Sequence, residues 1–331
     1  MKVCLFDVHT FEKGPFESAN SQKHEMNFLD VRLDSKTAIL ARSFECVCAF
    51  VNDKLSREVL TILKEGGTKL IALRSAGFNH IDLIAARELG LTVVRVPEYS
   101  PYSVAEHAVA MILCLNRKIH KAYNRVREGN FSLDGLVGFD LHKKKVGVIG
   151  TGKIGKVFTH IMNGFGCEIL AYDLYPDKAF EKELGFRYVD LPELLETSDI
   201  ISLHVPLSDK TLRMLNDDAF NKMKRGTMLI NTSRGGLIDT KALIKALKDC
   251  HLGSAGLDVY EEEATLFFED RSCEVLTDDV YARLMTFNNV LLTSHQAFLT
   301  QEALANIAAT TLENINEYSS GQKLTNEVRA I

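Results

Sequence analysis

Short apolar runs alternate with longer amphipathic segments along almost the whole chain. Lys2–Phe6, Thr68–Leu73 and Thr92–Val96 read as strands, with Leu55–Glu65 and Ile81–Leu89 between them as helices. Connections of this length join parallel strands, so the first hundred residues predict a parallel sheet covered by helices. Ser103–Leu115 is expected as a strong helix, with Ser103 as N-cap and Glu106 completing a capping box. Its 108–115 segment is apolar nearly all round, which predicts burial on more than one side, at a domain or a subunit interface. From Lys145 the pattern sharpens into strands at Lys145–Ile149, Glu168–Tyr172, Ile200–Val205, Thr227–Asn231, Ser254–Asp258 and Val290–Thr293. A last helix, from about Thr300 to Tyr318, follows the final strand and is placed to cross back to the first unit.

One turn in this pattern carries chemistry. Gly150, Gly152 and Gly155 form Gly-x-Gly-x-x-Gly directly after the strand that starts at Lys145 and at the start of a helix. Gly150 permits the tight turn, Gly152 lets backbone approach a pyrophosphate, and Gly155 lets helix and strand pack closely. The free N–H groups of the helix N-terminus then attract phosphate. Asp173 ends the next strand, 23 residues beyond Gly150. A carboxylate there accepts from ribose hydroxyls and repels a 2′-phosphate, so NAD is expected rather than NADP.

Composition narrows the classes. The 331 residues are 46% hydrophobic and 25% charged, and 39 Lys+Arg against 44 Asp+Glu give a formal charge of −5. Neither a disordered tail nor a nucleic-acid-binding surface fits those figures. The longest wholly apolar run, Ala108–Leu115, is too short to cross a bilayer, and no signal peptide is expected before Asp7. Seven scattered cysteines, mostly inside apolar stretches, suggest buried thiols in a reducing cytoplasm. Cys46-Val-Cys48 alternates like a strand and offers no zinc clip, and no metal site is expected.

Three further strand ends hold reactive residue types. Arg234 follows one strand, where its planar fork of donors suits a carboxylate. Gly256–Glu263 follows another, and spacing alone does not choose among Glu261, Glu262 and Glu263. His295 follows the last. Reduction of a 2-oxo acid builds negative charge on its C2 oxygen, which calls for a proton donor and a fixed cation. Imidazole exchanges protons near neutral pH, and a neighbouring carboxylate favours its cationic form and fixes its orientation.

Taken in order, Ser75–Asp82, Val96–His107, the glycine motif, Asn231–Gly235, Leu257–Glu263 and Ser294–Phe298 resemble the D-2-hydroxyacid dehydrogenase family, most closely its D-lactate branch. The resemblance spans essentially the whole chain. It implies an α/β protein of two domains: a flavodoxin-like substrate (catalytic) domain from 1–100 plus 300–331, and an NAD-binding Rossmann domain, a doubly wound parallel sheet, from 101–299. It implies Arg234 as the substrate-binding arginine, His295 as acid/base, and Glu263, five residues after Asp258, as the catalytic glutamate. Asp258 would contact the nicotinamide end of NAD. Lys153, Ile154, Val205, Pro206, Thr232 and Ser233 would line the cofactor cleft beside Gly150, Gly152, Gly155 and Asp173. Tyr99 and Phe298 would edge the substrate pocket, and the N–H groups of Ala76 and Gly77 would grip the substrate carboxylate. Thr211 departs from the asparagine that related lactate enzymes often carry, and is left out of the site.

The expected activity is reduction of pyruvate to D-lactate with NADH, by a cytoplasmic homodimer or homotetramer. A bulkier 2-oxo acid is the nearest alternative substrate. An NAD-sensing co-repressor on the same fold is the alternative of a different class. A phosphoglycerate dehydrogenase is disfavoured because many carry an added regulatory domain, and a formate dehydrogenase because glutamine would stand at Glu263.

Overall fold

The structure is a computed structural model that describes residues 1–21, 23–263 and 266–329. The chain divides into two compact units, Met1–Ser100 with Leu299–Ile331, and Pro101–Phe298.

The first unit is built on five parallel strands: β1 (Lys2–Leu5), β2 (Glu25–Phe28), β3 (Cys46–Ala49), β4 (Leu70–Leu73) and β5 (Thr92–Arg95). Their order, β2-β1-β3-β4-β5, is that of flavodoxin-like sheets. β3 and β4 are buried at every position, which is why they read as continuous apolar runs rather than alternating ones. Side chains still alternate between two cores. Val3, Leu5, Cys46, Cys48, Leu70 and Ala72 pack with Phe16 of α1 (Thr10–Asn20) and with Ala308, Leu312 and Ile315 of α12 (Gln301–Ser319). Cys4, Val47, Ile71 and Leu73 face α2 (Arg57–Glu65) and α3 (Leu83–Glu88) on the other side. The last helix thus completes the first unit, with Thr300 as its N-cap, and the chain beyond it pairs antiparallel to β5 through Glu327 and Val94.

A buried polar cluster braces the carboxyl ends of these strands. The Arg74 guanidinium, wholly buried, donates from Nε to Glu12 at 2.7 Å and from Nη2 to the carbonyls of Phe6 and Asp7 at 2.7 and 2.8 Å. Breaking such a pair costs about 3–5 kcal/mol, because the surviving charge stays buried. Arg74 immediately precedes the loop that carries Ala76 and Gly77, so it anchors the start of that loop. Asp53 accepts N–H bonds from Leu33 and Phe50 at 2.7 and 2.6 Å. Burial pushes its pKa up to about 7 against the pull of Arg74 and those bonds.

The second unit has seven parallel strands: β6 (Lys145–Ile149), β7 (Glu168–Tyr172), β8 (Arg187–Tyr188), β9 (Ile200–Leu203), β10 (Met228–Asn231), β11 (Ser254–Leu257) and β12 (Val290–Leu292). They lie in the order β12-β11-β10-β9-β6-β7-β8. The chain reverses direction across the sheet between β6 and β9, which creates a crevice at their carboxyl ends. One face is covered by α4 (Pro101–Arg117) and α6 (Lys153–Gly164), the other by α8 (Leu191–Thr197), α9 (Asp217–Lys222) and α10 (Thr240–Lys248). The helices α5 (Ile119–Arg127), α7 (Lys178–Leu184) and α11 (Asp279–Met285) complete the unit.

One expectation about α4 needs correction. The helix begins at Pro101, and Ser103 is a buried residue inside it rather than its cap. Proline suits the first helical position, where its missing N–H is no loss. The apolar 108–115 segment packs on its own sheet, where Ala108, Met111 and Ile112 meet Val146, Val148, Phe158 and Ile230. The Lys143–Lys145 triplet is a turn leading into β6, with Lys143 at φ +64°. No helix of the described residues is long and apolar enough to cross a membrane.

Asp53 gives this fold a pH signature. Its folded pKa of about 7 lies above the unfolded value of ~3.9, so the folded state holds the proton longer. Its contribution is complete below pH ~4 and is lost as pH rises through about 7. Urea midpoints measured across that range should fall more steeply for the natural chain than for Asp53→Asn; equal slopes would contradict this.

Candidate active site

The glycine turn after β6 offers what a dinucleotide needs. Gly150 sits at φ +96° and donates its N–H to Tyr172 at 2.8 Å, which closes the turn against β7. A Cβ on Gly155 would lie 2.0 Å from the Gly150 carbonyl oxygen, so α6 approaches this turn as closely as backbone allows. At Gly152, the N-cap of α6, an added Cβ would meet nothing within 4 Å. Open space therefore stands before the N-terminus of the helix, where the amides of Ile154 and Gly155 lack intrahelical partners.

Asp173, one residue past β7, is tied to the same turn. Its Oδ2 accepts the Thr151 N–H at 2.7 Å and hydroxyl at 3.0 Å, and Oδ1 accepts the Tyr175 N–H at 2.9 Å. Burial would raise its pKa, but these bonds prevail and hold it below the ordinary carboxylate range. The neighbouring Leu174 and Tyr175 are exposed and supply no cation.

Beyond β9 and β10 the crevice wall is cross-linked by the Ser233 hydroxyl, which donates to the Val205 carbonyl at 2.7 Å. The Pro206 carbonyl accepts the Thr211 hydroxyl at 2.7 Å, so Thr211 closes its own loop. Thr232 beside Ser233 has a buried hydroxyl with no partner among the described residues. An open cradle before a helix N-terminus, an ionised Asp173 and an orphaned hydroxyl fit the phosphates, ribose and remaining polar groups of NAD.

The three residues expected to react stand at the ends of three neighbouring strands. Arg234 follows β10, Glu263 lies in the loop after β11, and His295 lies in the loop after β12. Neighbouring strands are roughly 4.8 Å apart, so three adjacent ends span about 10 Å. His295 Nδ1 is 2.8 Å from Glu263 Oε1, and Glu263 Oε2 accepts the Tyr260 N–H at 3.0 Å. Both side chains are mostly buried, 15% and 19% exposed, so solvent screens the pair only partly. Glu261 is engaged elsewhere, with Arg213 at 2.7 Å and Thr240 at 3.3 Å.

Arg234 donates from Nη1 to the Ser233 carbonyl at 2.7 Å and meets no carboxylate among the described residues. Most of its fork is left for a ligand. The next residue, Gly235, packs so tightly on Tyr260 that a Cβ there would lie 2.0 Å from the Tyr260 carbonyl carbon. That contact fixes the Arg234 loop to the segment that holds Glu263.

His295 itself has φ +54°, a left-handed conformation that costs a non-glycine residue about 1–3 kcal/mol. Asp258 holds it there. The Asp258 carbonyl accepts the His295 N–H at 2.7 Å, while its carboxylate accepts Gln296 N–H at 2.9 Å, Ala297 N–H at 2.9 Å and the Thr293 hydroxyl at 2.6 Å. Bonds to an ionised group contribute about 1.5–3 kcal/mol each, enough to outweigh the strain. Burial would raise the Asp258 pKa, yet the surrounding donors hold it low. The side chain is fully buried, so its carboxylate serves the chain's own loop.

In the first unit, the loop after β4 presents donors of its own. The carbonyls of Ala76 and Gly77 are held by Arg95 and Ser75 at 2.8 and 2.7 Å, whereas neither N–H has a partner among the described residues. Tyr99 is half-buried, and its carbonyl accepts from Asn306 of α12 at 2.7 Å. Phe298, the last residue of the second unit, is also half-buried.

Comparison with known proteins follows the same outline. The D-isomer specific 2-hydroxyacid dehydrogenase, NAD binding domain, family profile matches residues 109–297. D-lactate dehydrogenase of Escherichia coli (strain K12) is 53% identical over 329 residues, covering 99% of this chain and 100% of that protein. The chain belongs to the D-2-hydroxyacid dehydrogenase family. Among solved structures, apo D-lactate dehydrogenase from Escherichia coli superposes with a TM-score of 0.91 at 50% identity, covering 99% of this chain and 100% of that one. The structure described as the pyruvate reductase of Chlamydomonas reinhardtii gives 0.94 at 45% identity, over 98% of both chains.

The protein is thus an NAD-dependent oxidoreductase, and the matched NAD-binding segment lies within its second unit. Sequence reasoning gave no role to Thr293 or His107, which both reach the Asp258 carboxylate. The alternation around Thr293 marked it only as the end of a strand. Removing the Asp173 charge while keeping its acceptor, as in Asp173→Asn, should lower the preference for NADH over NADPH by about tenfold or more. Fluorescence titration of both cofactors measures this, and an unchanged ratio would mean that Asp173 does not read the ribose.

Proposed function

We propose that this dehydrogenase reduces pyruvate to D-lactate, and that His295, Glu263 and Arg234 carry the reaction. The observation that bears most weight is the 2.8 Å contact between His295 Nδ1 and Glu263. A carboxylate can only accept, so Nδ1 carries hydrogen and Nε2 is the nitrogen left to exchange a proton with substrate. Bound NADH supplies the hydride that reaches C2 of the 2-oxo acid. His295 gives its Nε2 proton to the C2 oxygen as negative charge develops there, and reloads from solvent. Arg234 holds the substrate carboxylate with its fork and steadies the same oxygen. The free N–H groups of Ala76 and Gly77 suit a carboxylate for the same reason. Run backwards, His295 takes the hydroxyl proton of D-lactate.

Pyruvate as substrate is supported by what the similar proteins are called, a D-lactate dehydrogenase at 53% identity and a pyruvate reductase at 45%. Self-association into a homodimer or homotetramer belongs to the same proposal; large apolar side chains such as Ile119, Tyr123, Phe131 and Leu133 are exposed, as at many subunit contacts. Sedimentation of a monomer alone would count against it.

Steady-state kinetics on pyruvate, 2-oxobutyrate and 2-oxoisocaproate test the substrate: kcat/KM should be highest for pyruvate, and a preference for the largest acid would overturn this. Glu263→Gln should lower kcat by about a hundredfold or more, because an amide can donate to Nδ1 and so favours the wrong tautomer. Glu261→Gln weakens contacts to Arg213 and Thr240, neither of which touches His295, and should stay within about twofold. The reverse pattern would move the role to Glu261. Arg234→Lys should raise KM for pyruvate and lower kcat, since a point charge cannot replace the fork; an unchanged pyruvate response would remove Arg234 from the site.

A further inference from the structure

The frame around His295 has a member on α4. His107 Nε2 lies 3.3 Å from Thr293 Oγ1 and 3.5 Å from Asp258 Oδ1. The Thr293 hydroxyl gives its hydrogen to Oδ1 at 2.6 Å, which leaves its lone pairs as acceptors. Asp258 is held in its ionised form and can only accept. Both neighbours of Nε2 therefore require a hydrogen from it. Ala105, Ala108 and Met111 of the same helix are buried in the apolar core, while the His107 ring is turned to these two polar partners.

We propose that His107 is a positioning residue for the reaction: its Nε2–H orients the Thr293 hydroxyl and the Asp258 carboxylate, and through them the left-handed turn that presents His295 to Glu263. The proposal rests on the reading of His295 as the acid/base group. The line of donors runs from His107 to Thr293 to Asp258, whose carboxylate also takes the Gln296 and Ala297 N–H groups on the far side of His295. Without the Nε2–H, the Thr293 oxygen and the Asp258 carboxylate each lose a donor. The turn at φ +54° then has less to oppose its relaxation, and the imidazole loses its fixed approach to Glu263.

The test compares His107→Gln, whose amide can place an N–H near the Nε2 position, with His107→Leu, which fills the volume without a donor. The first readout is hydrogen exchange of the amides of residues 295–297 in the protein without cofactor. These should exchange about five- to tenfold faster in His107→Leu, the loss of roughly one hydrogen bond, and as slowly as the natural chain in His107→Gln. Amides of β6 should be unaffected in both. The second readout is kinetic: kcat on pyruvate should fall by a similar factor in His107→Leu, with KM and the NADH dissociation constant unchanged, and recover in His107→Gln. Thr293→Val added to His107→Leu should cost little more than either alone. Unchanged exchange at 295–297, equal loss in Gln and Leu, or a general speeding that includes β6 would each overturn the positioning role. Faster exchange at 295–297 with unaltered kcat would instead overturn His295 as the acid/base group, leaving the frame itself in place.

Discussion

A histidine held in a left-handed turn by a buried carboxylate is the constraint on which the site depends. His295 can meet Glu263 only because its backbone turns back on itself, and Asp258 makes that turn stable from both sides. It takes the His295 N–H on its carbonyl and the next two N–H groups on its carboxylate. The desolvation of Asp258 would be prohibitive without those donors, and the donors would be orphaned without Asp258. Each thus accounts for the presence of the other. The His295 imidazole is consequently part of a rigid arrangement rather than a side chain on a free loop, which is the form that catalytic preorganisation requires.

The parallel sheet explains why these groups meet at all. Arg234, Glu263 and His295 are separated by 29 and 32 positions in sequence, yet β10, β11 and β12 are successive neighbours, so their carboxyl ends form one short edge. The same sheet places the glycine turn of β6 on that edge, two strands from β10. Chemistry is separated from cofactor grip by strand spacing, and strand spacing is fixed by backbone hydrogen bonds. In the first unit the same economy of means appears in Arg74, whose buried guanidinium gathers the ends of β1, β3 and β4 and starts the loop with the open N–H groups of Ala76 and Gly77.

Much of this was legible in the sequence where the local signal and the tertiary environment agree. β6 and β7 are found at the residues expected, because a glycine turn ends one and an aspartate ends the other. Other strands run one or two residues shorter than the apolar pattern, since Phe6, Val96 and Val205 continue the hydrophobicity into loops that are themselves covered. β2 and β8, at the sheet edges, carried no apolar run to announce them. The start of α4 was misplaced because Ser103 and Glu106 imitate a capping box, whereas Pro101 opens the helix. The acidic run at 261–263 could not be resolved from spacing; the family resemblance singled out Glu263, and the structure pairs that residue with His295 while Glu261 pairs with Arg213. His107 closes one of the segments that carry the family resemblance, but neither it nor Thr293 was given a role, for their importance lies in a contact between a helix and a strand end nearly two hundred residues apart.

The proposed reaction requires that His295 deliver the proton that the C2 oxygen receives. The most direct measurement is a stopped-flow mix of pyruvate with the NADH complex of His295→Ala, following NADH absorbance through the first turnover. The prediction is intact NADH binding with the oxidation transient slowed by about a hundredfold or more. A transient at the rate of the natural chain would contradict the central claim.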